Sequence, residues 1–205
     1  MDKLIKSTSY NQQEIINNIL ELYVPSKTID VDVTYSKGGF YKKGIVKEPN
    51  LKFDLFPQTK DTIKADSRFL PLKDESVDCV IFDPPFLATT GPSLTNGCSG
   101  NKMARRFGVF NNERDLITYY YLSLKEISRT LTNKGILIFK CQDKISSGRQ
   151  YWNHNTVHTM ALTTGLEAED LFICLAKNRL VAKWQLDNQK HARKFHSYFW
   201  VFKKR

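Results

Sequence analysis

The chain reads as an α/β protein built on a doubly wound, mostly parallel sheet of seven strands. Short apolar runs alternate with amphipathic runs from end to end, the pattern of strands connected by helices. One run, Cys79-Val80-Ile81-Phe82, is apolar at every position, as expected for a strand covered on both faces. Acidic residues recur at the ends of successive runs, at Asp32, Asp54, Asp66 and Asp83. In open α/β sheets, ligands bind at the carboxyl ends of the strands, where these carboxylates fall. A length of 205 residues suits one domain over residues 1–205, large enough to bury a full central sheet.

The elements follow in order. Ser9-x-x-Gln12 has the spacing of a capping box, opening a helix whose apolar stripe is Ile15, Ile16, Ile19, Leu20 and Tyr23, with Pro25 limiting it. Residues 28–33 form the first strand, and a tight loop of Tyr35, Ser36, Lys37, Gly38 and Gly39 follows. Residues 51–55 and 62–65 are the second and third strands, the latter ending at Asp66-Ser67, and residues 77–82 are the fourth. A long polar segment, 87–112, holds Gly91, Gly97, Gly100 and the cations Lys102, Arg105 and Arg106. Asn112, with Glu113 and Asp115 in the first turn, starts a helix presenting Leu116, Ile117, Tyr120, Leu124, Ile127 and Leu131, which Asn133-Lys134-Gly135 ends. Residues 136–141 form the fifth strand, 155–164 a weaker helix, 167–175 a β-type run, and 196–202 an aromatic-rich final strand. Segments 87–112 and 177–195 read as insertions available for substrate recognition.

Hydrophobic and charged contents of 41% and 25% are ordinary for a soluble protein. No apolar stretch approaches membrane-spanning length, and the first residues lack the pattern of a signal peptide. Cys79, Cys98, Cys141 and Cys174 show no paired spacing, and three lie in apolar runs, so a reducing, cytoplasmic compartment is expected. His154 and His158 stand four apart but without an accompanying cysteine or carboxylate in the sequence, and no metal site is expected from them. Lysine and arginine outnumber acids 31 to 21, a net charge of +10 that fits a polyanionic partner.

Asp83-Pro84-Pro85-Phe86 is the most informative tetrapeptide. Neither proline has an N–H, and residues before proline are held extended, so the surrounding carbonyls are expected to point outward as free acceptors. One carboxylate, fixed backbone oxygens and an aromatic plate suit a planar exocyclic amine. The tetrapeptide, placed after an apolar strand, resembles motif IV of amino methyltransferases that use S-adenosylmethionine (SAM). In that family the carboxylate and the following proline carbonyl hold the target amine, and the aromatic stacks on the flipped base. The resemblance therefore makes Asp83, Pro84, Pro85 and Phe86 the catalytic candidates.

Asp32-Val33-Thr34-Tyr35-Ser36-Lys37-Gly38 resembles motif I of the same family at its acid and its last glycine, with Ser36 where the first glycine is expected. By this resemblance Asp32, Tyr35, Ser36, Lys37 and Gly38 line the SAM site, Asp54 accepts the ribose hydroxyls, and Asp66 with Ser67 meets the adenine. The class I SAM-dependent methyltransferase fold, with its C-terminal antiparallel strand, is implied likewise. Lys102, Arg105, Arg106, Arg193 and Lys194 are the candidate nucleic-acid contacts, since interleaved cations and aromatics suit phosphate tracking with base stacking.

The function this implies is methyl transfer from SAM to an exocyclic amine of a nucleic-acid base, first of all adenine N6 in DNA. The chain has no room for the target-recognition domain that such DNA enzymes usually carry. An RNA enzyme acting on guanine N2 or adenine N6, and a catalytically silent nucleic-acid-binding subunit, stand as alternatives.

Overall fold

The computed structural model describes residues 4–86, 88, 110, 112–146, 148–178, 187 and 189–205. Among these run β1 (Thr8–Ser9), α1 (Gln12–Tyr23), β2 (Val31–Asp32), β3 (Leu51–Asp54), β4 (Ile63–Lys64) and β5 (Val77–Phe82). They continue with α2 (Glu113–Thr130), β6 (Leu131–Cys141), the hairpin β7 (Lys144–Ser146) and β8 (Arg149–Tyr151), α3 (Asn153–Thr163), β9 (Leu166–Leu175) and β10 (His196–Lys204). Eight strands form one sheet in the order β1-β9-β10-β6-β5-β2-β3-β4. Pairing is parallel except where β10 runs against both β6 and β9, as expected for the C-terminal strand.

Strand alternation sorts the core into two layers. Cys79, Ile81, Ile136, Ile138, Phe199 and Val201 face Ile15, Ile16, Ile19 and Leu20 of α1. Val80, Phe82, Leu137, Phe139 and Phe202 face Leu116, Tyr120, Leu124 and Ile127 of α2 and Val157 and Ala161 of α3. Helices thus cover both faces, which explains why β5 reads as an unbroken apolar run. Phe139 meets Phe82 and Tyr120 edge-on, with ring centroids 5.0 and 5.6 Å away. Fully burying rings of this size contributes about 1.5–3 kcal/mol each.

Several local expectations give way. The sheet has eight strands rather than seven, because Thr8–Ser9 pairs in parallel with Ile173–Cys174 of β9; two residues carry no readable alternation. The cap of α1 is Asn11, whose side chain accepts from the Gln13 N–H, while the Ser9 hydroxyl bonds the Glu14 carboxylate. The first strand is short because Asp30 turns its carboxylate onto the N–H groups of Asp78 and Cys79, clipping β2 to the start of β5. Asp30 therefore does not pair with Lys27, which bonds Glu21 instead. Helix α2 ends at Thr130, and Leu131 already belongs to β6. Asn133-Lys134-Gly135 is a kink inside that strand, with Lys134 at φ 66°, where pairing with β5 shifts between Val77 and Cys79. Cys79, Cys141 and Cys174 are free thiols, and Cys98 lies outside the described residues.

Candidate active site

The strand order brings the carboxyl ends of β3, β2, β5 and β6 into one row. Asp54, Asp32, Asp83 and Lys140 stand at or next to those ends in the same order. Asp66 follows β4 at the edge of the sheet. The four acids picked out in the sequence thus share one rim of the sheet.

The loop after β2 is built by two of them. Asp32 is buried, with one carboxylate oxygen accepting the Thr34 N–H at 2.9 Å and the other the Tyr41 hydroxyl at 2.8 Å. Burial pushes its pKa from 3.8 up to about 7, and the neighbouring carboxylates of Asp83 and Asp54 push the same way, against those two hydrogen bonds. Asp54 accepts the Ser36 N–H at 2.8 Å and the Phe56 N–H at 2.7 Å. Ser36 and Gly38 both take left-handed backbone, at φ 52° and 64°. Ser36 thus adopts the conformation a glycine would favour, at the place where the motif I pattern has one. A Cβ on Gly38 would come within 2.5 Å of the Tyr35 hydroxyl oxygen. Tyr35 itself is buried, stacked on Tyr41 with Lys52 Nζ over its ring at 4.9 Å from the centre, while Lys37 is exposed.

The tetrapeptide Asp83-Pro84-Pro85-Phe86 is pinned from three sides. The Asp83 N–H donates to the Thr34 hydroxyl at 2.8 Å. Tyr120 of α2 donates its hydroxyl to the Pro85 carbonyl at 2.7 Å, and Lys144 of β7 donates to the Phe86 carbonyl at 2.8 Å. Two of the carbonyls expected to be free are therefore occupied; the Pro84 carbonyl takes no hydrogen bond from the described residues. Lys144 is buried, pairs with Glu113 at 2.9 Å, and has its pKa lowered by desolvation. Asp83 Oδ2 lies 3.0 Å from Lys140 Nζ. The Lys140 ammonium also lies 5.1 and 5.7 Å from the ring centres of Phe40 and Phe199. Asp83, Lys140, Thr34, Tyr35, Ser36 and Gln12 line one cavity of about 100 Å³.

Other sequence-picked residues are placed differently. Asp66 is held by a bidentate pair with Arg68, at 3.0 Å to Nε and 2.6 Å to one terminal nitrogen. The Ser67 hydroxyl turns inward, buried against Tyr119 and Ser123, so its side chain belongs to the core. Lys102, Arg105 and Arg106 lie outside the described residues. Arg193 is exposed, and Lys194 stands 5.3 Å from the ring centre of Trp152, a side chain 55% exposed. His154 does have a carboxylate partner, Asp143, at 2.8 Å, and stacks on Tyr198. Among the described residues no group of three or more candidate ligands could hold a metal, and no helix is long and apolar enough to cross a membrane.

Lys140, Tyr120 and Lys144 were not singled out as functional in the sequence. Tyr120 stood in the apolar stripe of α2, where nothing marks a hydroxyl as a clamp. Lys140 had a signal: it follows Ile136 and Ile138 at the same alternation, a cation at a position facing the core.

No family model matches the chain, and no curated protein matches it. Solved structures do. The [4+2]-cyclase SpnF superposes with a TM-score of 0.56 at 13% identity, covering 94% of this chain and 80% of its own. A Galdieria sulphuraria protein named as a sarcosine dimethylglycine methyltransferase gives 0.55 at 12% identity over 94% and 84%. A SAM-dependent methyltransferase of Thermotoga maritima gives 0.52 at 14% over 95% and 89%. A Thermus thermophilus protein named as a DNA modification methylase, solved with SAM, gives 0.45 at 16%, covering 68% of this chain. The present chain spans about half the length of that protein, 51%. At these identities the likeness is one of fold: the chain has the Rossmann-like fold of class I methyltransferases, a fold that also serves a cyclase.

Proposed function

We propose that the chain is a SAM-dependent methyltransferase acting on an exocyclic amine of a nucleic-acid base, with adenine N6 in DNA the first substrate to test. The observation carrying this reading is that Asp83 of Asp83-Pro84-Pro85-Phe86 opens into the same cavity as Thr34, Tyr35 and Ser36 of the glycine-containing loop. An amine-holding tetrapeptide and a cofactor-type loop thus meet at one point.

The residues present fit SAM in part. A cavity of about 100 Å³ matches the amino-acid end of the cofactor rather than the whole. Leu55 and Phe56 follow Asp54 directly and are exposed, as is Phe69 beyond β4, which is 74% exposed. These are apolar walls of the kind an adenine ring needs, beside a carboxylate that can receive ribose hydroxyls. Asp66 would meet adenine only by sharing its carboxylate with Arg68, and Ser67 could contribute only its backbone. Bound there, SAM supplies a methyl group activated on a sulfonium.

An exocyclic amine is a weak nucleophile because its lone pair is delocalised into the ring. Asp83 and the Pro84 carbonyl accept its two N–H donors, which favours a tetrahedral nitrogen and receives the developing positive charge, and once the nitrogen carries the methyl one of these protons leaves through Asp83 to solvent. Lys140 holds Oδ2 of Asp83, leaving Oδ1 to the amine. Tyr120 and Lys144 fix the Pro85 and Phe86 carbonyls that follow the acceptors, so the acceptors keep their aim without reorganising. Phe86 offers a plate for a base taken out of its stack. The net charge of +10 supports a nucleic-acid acceptor.

The test is incubation with methyl-labelled SAM and DNA or RNA, followed by digestion to nucleosides. Label in N6-methyladenine that disappears in Asp83→Ala is expected. Label in a carbon- or oxygen-methylated product, or full turnover by Asp83→Ala, would overturn the reading.

A further inference from the structure

A second, larger cavity adjoins the Asp83–Lys140 cavity and shares Gln12 and Gly39 with it. Its volume is about 700 Å³. The segment before α1, the loop after β2 and the end of β9 form its walls, contributing Tyr10, Lys42, Lys43 and Lys177. All four are exposed. Tyr10 is 61% exposed, and Lys177 Nζ lies 5.6 Å from its ring centre. In the sheet order the end of β9 lies on the far side of β5 and β6 from β2, β3 and β4. The large cavity is therefore on the opposite flank of Asp83 from Asp54, Leu55 and Phe56, the residues assigned above to the cofactor.

We propose that this cleft takes an unpaired nucleic-acid strand and leads it to Asp83; the proposal rests on the function given above and supplies its acceptor path. Three lysines lining the cleft supply cations for phosphates, and an open aromatic ring beside a cation is a stacking platform for a base of any identity. A cleft of about 700 Å³ lies in the range of small-ligand sites and admits one strand locally, whereas a duplex presents a far wider cylinder. Of the four, Lys177 opens the segment 177–195 that the sequence set aside for substrate recognition; Tyr10, Lys42 and Lys43 had no such reading.

Fluorescence anisotropy with a labelled adenine-containing oligonucleotide, across a salt series and without SAM, tests this independently of turnover. For a single strand each phosphate contact contributes about 0.7 to the slope of log affinity against log salt, so Lys42→Gln/Lys43→Gln/Lys177→Gln should flatten it by about 2. Tyr10→Ala should weaken binding by about five-fold or more. Lys42→Arg/Lys43→Arg/Lys177→Arg should keep the parent slope, and an unchanged unfolding midpoint in all variants excludes loss of fold. An unaltered slope in the glutamine variant, equal binding of the annealed duplex, or equal binding of adenosine monophosphate would each overturn the cleft as a strand path. Parallel DNA and RNA oligonucleotides identify the polymer. Cleft-dependent binding without methyl transfer would leave this proposal standing and overturn the chemistry above; transfer that ignores the cleft variants would do the reverse.

Discussion

Asp83 and Lys140 stand side by side at the ends of two parallel strands, with Oδ2 and Nζ 3.0 Å apart. The pairing follows from register: Phe82 is opposite Phe139, so the next residue on each strand falls together on the opposite face of the sheet. There Gln12 and Phe40 enclose the ion pair with them. Lys140 is a positioning residue in this reading, since it touches Asp83 rather than the amine. Lys140→Met should lower kcat about 10- to 100-fold, the worth of one charge-assisted hydrogen bond, while KM for SAM stays within a few-fold. Lys140→Arg should restore much of the rate. A Lys140→Met enzyme with parent kcat would remove the ion pair from the mechanism.

Asp54 carries a cofactor prediction complicated by its own structural bonds. Both its oxygens hold loop N–H groups, so Asp54→Ala strands two donors as well as removing a ribose acceptor. The stranded buried N–H of Ser36 costs about 1–3 kcal/mol and the part-buried N–H of Phe56 less, and a lower unfolding midpoint is expected alongside at least about ten-fold weaker SAM binding. Asp54→Asn keeps one acceptor and should recover stability more than affinity. Calorimetry with SAM separates the two. Undisturbed affinity in Asp54→Ala would place the ribose elsewhere.

Much of this architecture is legible residue by residue. The unbroken apolar run before Asp83 marks a doubly covered strand, and the face of α2 from Leu116 to Ile127 packs as its spacing implies. Misreadings fall where side chains replace expected backbone partners. Asp30 bonds β5 N–H groups, and Asn11 rather than Ser9 caps α1. In the site, the acids are visible because each follows an apolar run. Their partners are not, because Arg68, Lys140 and Lys144 acquire meaning only from which strand lies beside which. Asp66 illustrates the limit: its position after a strand is readable, whereas its bidentate hold on Arg68 depends on the turn that follows.

The buried Lys144 is predicted to hold the Asp83–Phe86 tetrapeptide in place. Its ammonium bonds the Phe86 carbonyl and lies 2.9 Å from Glu113, both of whose carboxylate oxygens are buried. Lys144→Met would leave that carboxylate without its cation and release the carbonyl. A loss of about 3–5 kcal/mol is expected, the range for a broken buried pair, because neither carboxylate oxygen of Glu113 reaches solvent. The double variant Glu113→Gln/Lys144→Met should regain most of the stability but not the turnover, because Phe86 would still lack its anchor. Urea unfolding and methyl transfer, measured together, check both halves. Full activity in the double variant would show that the anchor is dispensable.

Asp32 gives the loop a pH dependence whose sign can be worked out. Its pKa is raised by burial from 3.8 in an unfolded chain to about 7 in the fold. Between those values the folded state binds a proton that the unfolded state has lost. The stabilisation is therefore fully present below pH about 4 and disappears as pH rises to about 7. A shift of this size corresponds to about 4 kcal/mol across that window. Asp32→Asn mimics the neutral acid: its amide oxygen can still accept the Thr34 N–H, and its NH₂ can donate to the Tyr41 hydroxyl with that bond reversed. The variant should match the parent near pH 4, exceed it at pH 8, and lose most of the decline between. Unfolding midpoints from pH 4 to 8 supply the measurement. Parallel curves for the two proteins would mean that Asp32 stays charged in the fold, and that the Tyr41 and Thr34 bonds outweigh its burial.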